Sequence, residues 1–79
     1  MKLEDCIKYF GMKICLNKYG YDEWFKIRGL DFDSNRLIME PISIIRPYDM
    51  QVSLHTLKMY LIKFEHDEDT IMFKLELDG

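Results

Sequence analysis

The chain has 79 residues, of which 48% are apolar and 14% aromatic, with a net charge of −3. This length predicts one domain over residues 1–79, and the composition is too apolar for a disordered protein. The negative charge argues against broad, sequence-independent nucleic-acid binding, which needs a basic face, but it leaves room for a local basic patch.

Neither a membrane span nor a disulfide framework is expected. No run approaches the roughly 20 apolar residues that a span needs. The two cysteines, Cys6 and Cys15, are too few for a framework, and the N-terminal residues have early acids rather than a long apolar region. We expect a cytoplasmic protein with no membrane partner, in which both thiols are buried.

The first predicted element is a short helix over residues 3–10. It places Leu3, Ile7 and Phe10 on one face with Cys6 beside them, and Gly11 follows as a stop signal.

Three extended runs follow the helix. Residues 12–17 alternate in polarity, residues 23–30 read as a return strand with a bulge at Gly29, and residues 36–45 form a third run. Turn chemistry separates them at residues 19–22, 31–35 and 46–49. Because proline lacks an N–H group, Pro41 predicts that the third run lies at a sheet edge or breaks there.

The C-terminal third predicts a β-hairpin. Residues 71–77 alternate in polarity as a strand does, and residues 57–64 are the nearest partner. An acidic run at residues 65–69 would form the hairpin tip. The segment 52–64 also fits a helix with Leu54, Leu57, Leu61 and Phe64 on one face, so both alternatives stay open.

These elements predict an α+β fold, with a short N-terminal helix and a mostly antiparallel sheet of about five strands. Strands this short and twisted can curl into a small SH3-like or Sm-like barrel. A flatter sheet backed by the helix is the alternative.

In such a sheet, successive turns alternate between its two ends. The turns at 31–35 and 65–69 should therefore share one end, which gathers acidic side chains: Asp31, Asp33, Glu65, Asp67, Glu68 and Asp69. Three alternatives fit this acidic end, namely a solvated tip that blocks aggregation, a docking site for a basic partner surface, or a divalent-metal site. The spacing of an EF-hand is not met, so we assign no metal ligands.

The opposite end should gather aromatic side chains and an arginine. They are Tyr19, Tyr21, Arg46 and Tyr48, with Trp24 nearby. Such residue types anchor protein interfaces, and aromatic rings beside a cation also stack on bases. Turn aromatics that pack over the sheet are the plainer alternative.

No pattern for catalysis or for cofactor binding stands out. The four glycines are isolated, zinc spacing is absent, and neither His55 nor His66 lies at short spacing from a cysteine. We predict no catalytic residue, cofactor or metal.

Residues 29–40, with Asp31, Asn35 and an alternating apolar run, resemble the first motif of the Sm-like RNA-binding proteins. The second motif of that family, an Arg-Gly pair, has no counterpart in residues 71–79. The resemblance assigns no RNA-binding residues here.

The sequence therefore predicts a small non-enzymatic protein-interaction module, an adaptor or an inhibitor, that occludes a partner surface. Homo-oligomerisation is compatible with the short chain. A single-stranded nucleic-acid binder of the small-barrel type is the alternative, and it would use Tyr19, Tyr21, Tyr48, Lys18 and Arg46.

Overall fold

The computed structural model describes residues 1–42 and 48–79. A 3-10 helix (Leu3–Tyr9) precedes strands β1 (Lys13–Lys18), β2 (Tyr21–Asp31), β3 (Arg36–Pro41) and β4 (Met50–Val52). Helix α1 (Leu54–Leu57), strand β5 (Leu61–Phe64) and helix α2 (Asp67–Asp78) complete the chain. The predicted α+β class, with a short N-terminal helix and about five strands, is confirmed.

The five strands form one antiparallel sheet in the order β4-β3-β2-β1-β5. Strands β4 and β5 lie at its two edges and do not pair with each other in the described part of the chain. The core lies between one face of this sheet and the helices. In it the rings of Tyr9, Phe64 and Phe73 pack in tilted and edge-to-face arrangements, at centroid distances of 5.0–5.4 Å.

The predicted turns and breaks of the first three strands are largely confirmed. Strand β2 has its register shift between Ile27 and Gly29, and β3 ends at Pro41. The turn after β2 uses Asn35 in the left-handed region, with φ of 56°. Residues 43–47, which include the end of the third predicted run and part of the turn at 46–49, lie outside the described residues.

The buried face of the N-terminal helix differs from the predicted one. Leu3, Cys6 and Tyr9 are buried, whereas Ile7 and Phe10 are exposed. A 3-10 helix has about three residues per turn, so its buried positions recur every three residues rather than every 3.6.

The predicted C-terminal hairpin is wrong. Residues 71–77 belong to helix α2, in which Phe73 and Leu77 are buried and Ile71 and Leu75 are exposed. The apolar residues at 71, 73, 75 and 77 alternate like those of a strand. In the helix, however, only Phe73 and Leu77, which are four residues apart, face the core. The partner of β5 is β1, not residues 71–77.

The ambiguous segment 52–64 contains both predicted structures. Helix α1 covers Leu54–Leu57, where the Ser53 hydroxyl accepts a hydrogen bond from the Thr56 N–H at 3.1 Å. Strand β5 covers Leu61–Phe64. The short strand β4 was not predicted, because three residues are too few to show a period.

Candidate interaction groove

An open groove of about 530 Å3 lies where the β1–β2 hairpin meets the segment that leads into β5. We call it the hairpin groove. Its lining comes from two stretches of chain, Asn17, Lys18, Tyr19 and Gly20 on one side and Lys58, Met59, Tyr60 and Leu61 on the other.

The hairpin side of the groove is a two-residue turn. Lys18 pairs with Tyr21, and the two residues between them, Tyr19 and Gly20, have φ of 63° and 79°. Positive φ at both central positions is what a type I′ turn requires, and this turn matches the twist of the strands. The turn therefore holds the Tyr19 side chain out at the tip of the hairpin, where 93% of its surface is exposed.

The other side of the groove is supplied by residues between α1 and β5. Met59 and Leu61 are 63% and 73% exposed, while Tyr60 packs against the core. In β5, Ile62 and Phe64 are buried and Leu61 is exposed, so Leu61 points away from the core.

Lys18 connects the two sides. Its Nζ lies 5.3 Å from the ring centroid of Tyr19 and 5.4 Å from that of Tyr60. Both distances are within the range of cation–π attraction, so the ammonium group helps to hold the two rings in place.

The predicted aromatic end is only partly assembled. Tyr19 lines the groove and Tyr21 begins the adjoining strand, with its side chain exposed. Tyr48 is exposed but precedes β4, at the sheet edge opposite β5, and does not line the groove. Arg46 lies outside the described residues.

Sequence reasoning missed Lys58, Met59, Tyr60 and Leu61. The signal that could have found them is the presence of apolar residues on both faces of the segment 57–64. One face of β5 is core, and the other, which carries Leu61, is exposed.

The predicted acidic end is built differently from a hairpin tip. Asp67, Glu68 and Asp69 occupy the first turn of α2, where carboxylates stabilise the helix through its dipole. Asp31 ends β2, and its carboxylate accepts hydrogen bonds from the N–H groups of Asp33 and Ser34 at 3.1 and 3.3 Å.

Both acidic stretches lie at the sheet end where β1 begins, since β2 and β5 are each antiparallel to β1. They are offset along the strands, however. Phe64 of β5 pairs with Ile14, so the stretch that follows it begins level with Lys13 and its partner Lys26. Asp31 follows Lys26 five residues later in β2. Five residues of extended strand span about 16 Å. Within residues 1–42 and 48–79, no group of three His, Cys, Asp or Glu side chains could hold a metal ion.

The cysteines are both buried, on opposite faces of the sheet. Burial raises the pKa of the Cys6 thiol to about 11, and burial, with Asp22 nearby, also raises the pKa of Cys15. Beside Cys15, Lys63 Nζ forms an ion pair with Asp22, at 3.3 Å from Asp22 Oδ2. Thiols with raised pKa values are protonated and are poor nucleophiles at neutral pH.

No protein-family model matches the chain, and no curated protein or solved structure matches it either. No helix in the described ranges has the length and apolar character to cross a membrane.

Proposed function

We propose that this chain is a small non-enzymatic protein-interaction module, an adaptor or an inhibitor, that occludes a surface of a partner protein. The observation that carries this proposal is the exposure of three large side chains, Tyr19, Met59 and Leu61, around one groove. Large apolar side chains grouped at a protein surface mark interaction sites, whereas scattered ones do not.

The groove contains suitable energetic anchors. Burying a leucine or methionine side chain contributes roughly 1.5–3 kcal/mol, and tyrosine is enriched among the residues that dominate binding energies. The strand pairing fixes the backbone of the hairpin, and packing against the core orders Tyr60, before binding, which reduces the entropy lost on association.

A second docking surface, for a basic partner, would use the carboxylates of the first turn of α2. Their position at a helix N-terminus already accounts for them structurally. The triple variant Asp67→Asn/Glu68→Gln/Asp69→Asn separates the two surfaces. Unchanged partner affinity in this variant would exclude the acidic turn from the interface.

Single-stranded nucleic-acid binding is the second candidate function, because Lys18 lies between two tyrosine rings at the groove. Aromatic rings and a cation are the elements of a base-stacking platform. Fluorescence anisotropy with labelled mixed-sequence oligonucleotides at low salt tests this alternative. Saturable binding that Tyr19→Ser abolishes would favour nucleic acid over protein.

The experiment for the leading proposal is affinity capture from the host lysate with wild type and with Met59→Gln/Leu61→Gln. We expect one predominant protein partner that the wild type retains and the variant loses. Both substituted side chains are exposed, so the fold should be kept.

The matched control is Phe32→Ser, which removes a side chain of comparable exposure at the other end of the sheet. It should capture the partner as well as the wild type does. Equal capture by all three proteins would contradict a role for the hairpin groove.

A further inference from the structure

We propose that the hairpin groove binds an acidic, apolar segment of the partner protein, with carboxylates beside large apolar side chains. This inference rests on the proposed function, and it names the chemistry of the occupant. Its basis is the charge of the groove, which is opposite to that of the molecule.

The lining of the groove carries positive charge only. Among the described residues that line it, Lys18 and Lys58 carry charge and none is a carboxylate. The whole chain, by contrast, has a net charge of −3, and α2 holds five acids against a single lysine: Asp67, Glu68, Asp69, Glu76 and Asp78, with Lys74. A partner segment that is acidic would be attracted to the groove, whose charge is opposite in sign to that of the chain as a whole.

Lys18 is placed to receive a carboxylate. Its ammonium has three N–H donors, and the two nearby tyrosine rings attract the group without neutralising its charge. A carboxylate bound there would form a charge-assisted hydrogen bond in a partly apolar setting, where such bonds are stronger than in bulk water.

The rest of the groove suits apolar side chains of a peptide better than the bases of a nucleic acid. Met59 and Leu61 are aliphatic and offer no flat surface for stacking, and methionine adapts its shape to different apolar partners. Two lysines are few for a phosphate backbone, since affinity for nucleic acids grows with the number of phosphates that are neutralised. A peptide with acidic and apolar residues satisfies both parts of the groove.

The test is a selection of phage-displayed random peptides on the immobilised wild-type protein. We expect the enriched sequences to combine Asp or Glu with Leu, Ile, Phe or Trp. A synthetic copy of the enriched peptide should bind the wild type in a fluorescence titration, and added salt should weaken the binding.

Two sets of variants then identify the origin of the affinity. Lys18→Glu/Lys58→Glu should weaken the peptide by roughly tenfold or more, since it replaces attraction by repulsion. Lys18→Arg/Lys58→Arg keeps the charge and should retain the binding. The control Lys2→Glu/Lys13→Glu changes the net charge equally outside the groove and should leave the affinity unchanged.

The outcomes separate this inference from the function on which it rests. Enrichment of basic or neutral peptides that still require Met59 and Leu61 would overturn the acidic occupant and leave the groove as the interface. Peptides that bind Met59→Gln/Leu61→Gln as well as wild type, or no enrichment at all, would overturn the groove itself. Tighter binding of a mixed-sequence oligonucleotide at the same residues would replace the peptide by nucleic acid.

Discussion

Tyr19 has a backbone conformation that its hairpin needs and that tyrosine disfavours. Its φ of 63° lies in the left-handed region, where a Cβ atom crowds the following carbonyl oxygen. Asn-Gly is the preferred pair for such a turn, and this chain has Tyr19-Gly20 instead. The Tyr19 side chain is 93% exposed, so little packing in the fold compensates for this conformation.

We expect Tyr19→Asn to raise the free energy of unfolding by about 1 kcal/mol, because asparagine tolerates left-handed dihedrals and loses only a weak contact with Lys18. Urea denaturation measures this change as a shift of the midpoint. The same variant should lose affinity for the partner. A lower midpoint would show that the Tyr19 ring stabilises the fold by more than the left-handed backbone of Tyr19 destabilises it.

At the scale of elements, a side-chain hydrogen bond joins α2 to β5. The Phe64 N–H donates to Thr70 Oγ1 at 2.7 Å, and the same hydroxyl lies 3.3 Å from the His66 carbonyl. A helix side chain thereby supplies the hydrogen-bond acceptor for a backbone N–H group of the edge strand β5. It thus closes part of the edge that β5 would otherwise present to another chain.

Thr70→Val should destabilise the protein by about 1–2 kcal/mol, since valine has nearly the same shape and leaves the partly buried Phe64 N–H without its acceptor. Thr70→Ser keeps the hydroxyl and should cost less. Urea midpoints and amide hydrogen exchange at Phe64 measure both effects. Equal stability of the valine variant would mean that water replaces the hydroxyl at this position.

At the scale of the whole molecule, Glu76 ties the two ends of the chain together. Its Oε1 accepts a hydrogen bond from the Tyr9 hydroxyl at 2.7 Å and lies 2.6 Å from Lys8 Nζ. The contacts with Lys8 and then Tyr9 lower the pKa of Glu76, and burial together with Glu76 raises the pKa of Tyr9. The folded protein therefore prefers the ionised carboxylate beside a protonated phenol.

This preference predicts how stability depends on pH. Because the pKa of Glu76 is lower in the folded state, its contribution is present above the ordinary value of 4.5 and is lost as the pH falls below it. Glu76→Gln should be less stable than wild type by at most about 1 kcal/mol at neutral pH, since the pair is partly solvated. The urea midpoints of wild type and Glu76→Gln should converge as the pH falls below 4.5. A difference between them that does not change with pH would contradict this account.

Much of the N-terminal half was predictable because its signals are local. The Gly20 turn, the Gly29 bulge, the break at Pro41 and the left-handed Asn35 each follow from the chemistry of one or two residues. The exposed tyrosines of the candidate site were predicted on the same basis, but their assembly with residues 58–61 was not.

The sequence by itself determined the α+β class, the short first helix, the first three strands and their connecting turns. Only the tertiary structure decided that residues 67–78 are a helix, that β5 pairs with β1, and that Leu61 and Met59 line one groove with Tyr19. The physical reason is distance along the chain. Turns and alternation act over a few residues, whereas the pairing of β5 with β1 and the burial of Phe73 and Leu77 depend on partners far away in the sequence.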